Sequence, residues 1–219
     1  MLSYDERPHV HGSMPTSRAA MKPIKNVNGS ALPPRTHRHI WIITGPAGCG
    51  KTTVAQYLAE HLSVPYVEGD EFHPPSNISK MAQGVPLTDS DRWDWLVVLR
   101  QKAVERLSKA GSAGVVLTCS ALKRKYRDVI RIAAYNDHDV EVHFVYLHAS
   151  EDVLMQRVKA RQGHYMKDSM VHSQFKSLEE PYDDEMDCLK LDVSGGMTTV
   201  QRKALQIVQG VLTEDSRRD

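Results

Sequence analysis

The sequence predicts an α/β domain built around a parallel sheet, and three observations lead there. From Ile40 onward, short apolar runs rich in Val and Ile alternate with helical patterns of about 10–15 residues, the texture of βα units. The length of 219 residues suits one domain with an appendage, since about 150 residues per domain is the usual size. Hydrophobic residues make up 41% and charged residues 25%, which excludes collagen-like, wholly disordered and disulfide-scaffold chains. No apolar run approaches the roughly 18 residues of a membrane-spanning helix, so no membrane partner is expected.

Residues 1–38 read as a disordered tail. They hold Pro8, Pro15, Pro23, Pro33 and Pro34, a single aromatic residue, Tyr4, and no sustained apolar period. The segment has no secretory apolar core. Its basic residues and serines resemble a mitochondrial presequence, but Asp5, Glu6 and the prolines oppose that reading, so an untargeted extension is expected. Through His39 the charge is +4, which leaves −3 on the body of a chain whose net charge is +1. Such a body is not a basic, nucleic-acid-binding domain. Cys49, Cys119 and Cys188 are odd in number, and the last two lie in apolar runs, which predicts a reduced, cytoplasmic protein without disulfides.

The elements of a domain over 39–213 then follow in order. Ile40 to Thr44 reads as a strand, Thr52 to Leu62 as a helix with Val54, Ala55, Leu58 and Leu62 on one face, and Pro65 to Val67 as a second strand. Asp89, Ser90 and Asp91 offer N-caps for a helix carrying Leu96, Leu99, Ala103 and Leu107. Val115 to Cys119 and Val142 to Leu147 read as buried strands, followed by helices starting near Leu122 and Glu151. Leu189 to Val193 is the last strand, a helix from about Thr198 to Leu212 follows, and 214–219 is left as a C-terminal tail.

Between the first strand and helix stands Gly45-Pro46-Ala47-Gly48-Cys49-Gly50-Lys51-Thr52, a complete G-x-x-x-x-G-K-[ST]. Its glycines let backbone N–H groups turn inward around phosphate oxygens, and the helix N-terminus, with Thr53, adds partial positive charge. Lys51 is expected to reach the β and γ phosphates of ATP and the Thr52 hydroxyl to ligate Mg²⁺. Cys49 fits the loop as a small residue. The loop alone does not choose between a kinase, a motor and a GTPase. Val115-Val116-Leu117-Thr118-Cys119 lacks the terminal carboxylate of a large ATPase, and no guanine-reading N-K-x-D is present, so a small-molecule kinase is favoured. The second strand ends in Glu68-Gly69-Asp70, at the sheet edge where ligands bind. There Asp70 can accept the proton of an attacking hydroxyl, and Glu68 can organise metal-bound water.

Further blocks add specificity: Gly69-Asp70-Glu71-Phe72-His73-Pro74, Asn77-Ile78-Ser79-Lys80-Met81, Gly84-Val85-Pro86-Leu87-Thr88-Asp89-Ser90-Asp91-Arg92, Cys119-Ser120-Ala121-Leu122-Lys123 with Tyr126-Arg127-Asp128, then Ala160-Arg161, His164 and Ser173-Gln174-Phe175. Over about residues 39–210 the chain resembles the P-loop gluconokinases, relatives of shikimate and adenylate kinases. The resemblance implies a three-layer P-loop kinase fold with a five-stranded parallel sheet, a mobile lid over about 157–172, a homodimer, and Mg²⁺-dependent transfer of the ATP γ-phosphoryl to the terminal hydroxyl of D-gluconate. It also implies an acceptor site of Asp70, His73, Asn77, Lys80, Arg92, Lys123, Arg127, His164 and Gln174. Arg92 and Arg127 would grip the carboxylate, and the other polar groups would serve hydroxyls. Lid residues Arg157 and Arg161, four apart on one helical face, would close over ATP, with Arg161 joining Lys51 and Asp70 in catalysis. Glu68 stands where relatives often have Asp, and Asp94 where Pro is common. Within enzymes the rival reading is a kinase of another small acceptor such as shikimate. A nucleotide-binding module without turnover would have no use for Asp70 and the acceptor cations.

Removal of residues 1–36 is expected to leave both melting temperature and turnover nearly unchanged, because the segment offers too little apolar surface to offset its ordering entropy. Thermal melts and steady-state rates of the truncated chain check this.

Overall fold

The computed structural model describes residues 37–217 apart from 110–111, 136 and 161–167. Five strands, β1 (Arg38–Thr44), β2 (Tyr66–Val67), β3 (Gly114–Thr118), β4 (Val140–His148) and β5 (Cys188–Asp192), form one sheet in the order β2-β3-β1-β4-β5. All pairings are parallel, and Ile42 of β1 lies between Leu117 of β3 and Phe144 of β4. Because the sheet is covered on both sides, its central strands are apolar throughout rather than alternating.

Helices α1 (Lys51–Leu62) and α7 (Met197–Asp215) cover one face, where Trp41, Ile43, Val145 and Leu147 meet Val54, Leu58, Val208 and Leu212. Helices α3 (Asp89–Leu107) and α4 (Arg124–Arg131) cover the other, where Ile40, Ile42, Leu117 and Phe144 meet Trp95, Leu99, Tyr126 and Ile130. This is the three-layer arrangement the sequence predicts. The helices that follow β1 and β3 therefore lie on opposite faces, which opens a crevice at the carboxyl ends of these two neighbouring strands. Among the described residues, no helix is long and apolar enough to cross a membrane.

Local sequence sets the helix ends. Gly50, with φ of 94°, starts α1, and Ser63 in the left-handed region ends it by donating to Ala59 O and Glu60 O. Thr88 and Asp91 close a capping box on α3, each side chain serving the other's backbone N–H. Two helices have no counterpart in the sequence reading. α2 (Pro75–Ala82) buries only Asn77, and so offers no apolar period to detect. α6 (Asp168–Ser177) follows α5 (Glu151–Ala160) after 161–167. The boundaries also move: β1 begins at Arg38, inside the expected tail, and α7 runs on to a buried Asp215, inside the expected C-terminal tail.

The basic run at the start of α4 is neutralised by acids. Lys123 meets Asp89 at 2.8 Å, Lys125 bonds the same carboxylate, and Arg124 meets Asp184 at 2.8 Å. Arg127 corrects an expectation. It is 1% exposed and forms a two-pronged pair with Glu185 at 2.7 and 2.6 Å, and its Nη1 donates to Ala121 O and Glu179 O. Its guanidinium fastens the 178–187 loop to α4 and does not face an acceptor. Burial alone would raise the Glu185 pKa, but bonds from Arg127 and Arg131 outweigh it and hold the carboxyl at about 2.

Glu185→Ala leaves Arg127 charged and unpaired in the interior, so unfolding free energy in urea is expected to fall by about 3–5 kcal/mol. Because the folded-state pKa is depressed, the pair's contribution is present above the ordinary 4.5 and fades as pH falls toward about 2. Acid titration of wild type and variant should converge there.

Candidate active site

The loop after β1 curls around its own backbone. Gly45, Gly48 and Gly50 have φ of 138°, 85° and 94°, and a Cβ on Gly45 would lie 2.7 Å from Leu147 O. Only glycine satisfies both demands here. The loop is tied to the segment just after β3 by Gly45 N–H to Ser120 O at 3.3 Å, and its Ala47 N–H is held by Gln174 Oε1 at 2.7 Å. Lys51 Nζ, at the first position of α1, lies 3.0 Å from Gly45 O and 3.2 Å from Pro46 O. The Cys49 thiol is fully buried, which pushes its pKa up and makes it an unreactive spacer.

Beside the loop, the end of β2 is anchored to the end of β3. A Cβ on Gly69 would fall 1.9 Å from Thr118 O, so this glycine is what lets the two strand ends touch. Thr118 Oγ1 accepts from Gly69 N–H at 2.8 Å and donates to Glu68, while Trp95 Nε1 donates to Gly69 O at 2.9 Å. Glu68 also accepts from Tyr66 OH and, at 2.8 Å, from Thr52 Oγ1. Burial pushes its pKa up, but the three hydroxyl bonds pull harder, and the net shift is downward. Glu68 is therefore a held anion in direct contact with Thr52.

One residue past Gly69, Asp70 points outward with its side chain 74% exposed, 3.9 Å from His73 Nε2. His73 stacks on Trp95 at 4.1 Å, and this burial lowers its pKa, so the imidazole is neutral at pH 7. Arg92 donates to Leu87 O and, at 3.2 Å, to Thr88 O. Lys51, Thr52, Asp70, His73, Arg92 and Gln174 all line one cavity of about 190 Å³, floored by Trp95 and Leu87. Hard oxygen donors (Thr52, Glu68), an ammonium and a glycine cradle are a donor set that fits a phosphate chain with Mg²⁺.

Several expected site residues stand elsewhere. Asn77 is buried and donates to Asp91 O at 2.7 Å, beneath His73. Lys80 is held by Asp91 at 2.6 Å, an exchange that keeps the Asp91 carboxyl at about 2. Lys123 rests on Asp89 and over the Tyr126 ring at 5.7 Å. Gln174 does line the cavity, and its Oε1 is already engaged by the phosphate loop. Arg157 Nη2 donates to Val193 O at 2.6 Å and to Ser194 O and Gly195 O, while its buried Nη1 has no hydrogen-bond partner among the described residues. That orphan donor, on the helix whose Val158 lines the cavity, suits an incoming acceptor atom. Arg161 and His164 lie outside the described residues. Trp95, Thr118 and Tyr66 escaped the sequence reading, because their roles arise from partners 26 to 50 residues away or across a strand end.

A P-loop at the switch point of a parallel sheet, with a carboxylate facing it across the crevice, defines a P-loop phosphotransferase. A family model described as an AAA domain matches residues 40–181. A probable gluconokinase of Schizosaccharomyces pombe is 42% identical over 83% of this chain and 93% of its own length, and a gluconokinase of Gluconobacter oxydans is 45% identical over 66% and 77%. A crystal structure of a gluconokinase from Sinorhizobium meliloti superposes with a TM-score of 0.71 at 38% identity, covering 83% of this chain and 97% of that one. The chain belongs to the gluconokinase family.

Gly69→Ala is expected to cost about 1–3 kcal/mol, since backbone must yield to the new methyl. It should also displace Asp70, so kcat falls further than the loss of folded protein accounts for. Urea melts and kinetics on the same sample separate the two effects.

Proposed function

We propose that this chain transfers the γ-phosphoryl group of ATP to the terminal hydroxyl of D-gluconate, giving 6-phospho-D-gluconate and ADP. The observation that carries the reading is Asp70, presented into the same cavity as Lys51 and Thr52 with the cationic Arg92 on its wall. The gluconokinase relatives select the acceptor.

The loop N–H groups and the α1 N-terminus hold the phosphates, and Lys51 neutralises charge that shifts during transfer. Thr52 and Glu68 would hold Mg²⁺, which when bound supplies further charge neutralisation along the phosphate chain. Glu68 keeps the Thr52 hydroxyl oriented in the meantime. Asp70 accepts or orients the proton of the attacking hydroxyl, and its exposure leaves room for that hydroxyl beside it. Arg92 binds the acceptor carboxylate, where planar two-pronged pairing is strongest, and neutral His73 bonds the hydroxyl row. Lys80 and Lys123 are paired with Asp91 and Asp89 and do not line the cavity. In this reading Arg157 and Arg161 close over ATP, and His164 serves the acceptor.

An assay coupled to ADP release, run with gluconate, shikimate and nucleoside monophosphates, is expected to respond to gluconate; turnover with one of the others alone overturns the acceptor assignment. Asp70→Asn keeps size and hydrogen-bonding reach but removes basicity. Its kcat is expected to drop by roughly 10²–10⁴, toward the low end because a loose transition state needs little deprotonation of the nucleophile. ATP binding should survive in that variant, whereas Lys51→Ala should abolish turnover with the fold intact.

A further inference from the structure

The edge of the sheet opposite the cleft, at the amino ends of β1 and β4, carries a cluster of imidazoles and carboxylates that phosphoryl transfer does not use. Strand register sets His39 beside Glu141 and Trp41 beside His143, all on one face. His39 Nδ1 lies 3.1 Å from His143 Nε2, and Glu141 Oε2 lies 3.4 Å from that nitrogen and 3.9 Å from His39 Nδ1. A circle through three atoms so spaced has a radius of about 2.0 Å, which matches the 2.0–2.2 Å of zinc bonds to imidazole nitrogen and carboxylate oxygen.

The surroundings are those of a prepared ligand set. On its other ring nitrogen, His39 faces Asp215 Oδ2 at 3.3 Å, and Asp215 is 1% exposed at the end of α7. A carboxylate at ion-pair distance from the far nitrogen favours the tautomer whose lone pair, on Nδ1, faces the ion. His37 Nδ1 bonds the other Asp215 oxygen, which ties the residue before β1 to the same carboxylate. Trp41 packs against both strand histidines, at 5.4 Å from His39 and 4.5 Å from His143, whose own rings stand 5.3 Å apart, and the three rings limit one another's rotation. His39 is fully buried, whereas the side chains of Glu141 and His37 are 24% and 27% exposed and leave a path from solvent. A divalent cation balances the two carboxylates with every imidazole neutral. Hard Mg²⁺ prefers all-oxygen sites, so the nitrogen donors call for a borderline transition ion instead.

We infer that His39, Glu141 and His143 bind a divalent transition-metal ion of the zinc class, oriented by Asp215, in a structural site that clamps the start of β1 to the end of α7. The site is separate from the catalytic Mg²⁺ and needs no nucleotide.

The test uses the full chain, untagged and stripped with chelator. Free Zn²⁺ at about a hundred times Kd is expected to raise the melting temperature by roughly 5–10 °C, while Mg²⁺ at the same concentration does not. Co²⁺ should give the intense visible bands of a four- or five-coordinate ion with imidazole ligands. Both effects should be lost in Glu141→Gln and His143→Gln, with kcat unchanged. Glu141→Gln, at a partly exposed position, keeps the test decisive if the His143 variant fails to fold. No stabilisation by Zn²⁺, or a Co²⁺ spectrum that persists in Glu141→Gln, overturns the site.

Discussion

The contact between Gly69 and Thr118 is the constraint on which the working edge of this molecule depends. Because residue 69 carries no side chain, the end of β2 closes onto the end of β3, and Thr118 Oγ1 bridges Gly69 N–H and the Glu68 carboxylate. One residue before this contact, Glu68 turns in to hold Thr52 of the phosphate loop. One residue after it, Asp70 turns out into the cleft. A short 3₁₀ turn over Gly69–Phe72 makes that reversal of direction possible. The carboxylate that holds Thr52 and the one that faces the cavity are thus placed by a single backbone approach, with Trp95 pinning the turn from α3.

Charge is arranged around this edge by pairing. The cations at the start of α4 and on α2 each have a carboxylate at hydrogen-bond distance, and Arg127, the most deeply buried of them, has two such bonds and two carbonyls besides. A buried guanidinium is tolerated only when its donors are satisfied, so Arg127 and Glu185 were committed to holding the 178–187 loop before either could serve a ligand. Arg92 is different. Its bonds go to the carbonyls of Leu87 and Thr88, which orient the group without neutralising it. Its guanidinium charge is therefore left without a carboxylate partner among the described residues on the cavity wall.

The two ends of the sheet differ in kind. At the carboxyl end, glycines and hydroxyls expose backbone donors and leave space. At the amino end, bulky rings fill the space and bring imidazoles, Glu141 and Asp215 into contact across β1, β4 and α7. Asp215 shows how poorly a terminus is judged from composition, for it sits in a polar C-terminal stretch yet is buried against His37 and His39.

The sequence by itself determined the α/β class, the five strands and the phosphate loop, because hydrophobic periodicity and the G-x-x-x-x-G-K-[ST] spacing are local properties that tertiary contacts do not rewrite; the family resemblance came from the further motif blocks beside them. It also marked Glu68, Asp70, His73 and Arg92, which the fold brings to one cavity with Lys51 and Thr52. It could not say which member of a basic run faces a ligand. Lys123 and Arg127 stand four apart in sequence, but the acids that claim them, Asp89 and Glu185, lie 34 and 58 residues away in the chain. Nor could it find α2, whose polar residues carry no period, or the ring cluster at the amino edge, whose members are joined only by strand register. Those features were decided by the tertiary structure, since a side chain's partner depends on which strands and helices pack together rather than on its own neighbours in sequence.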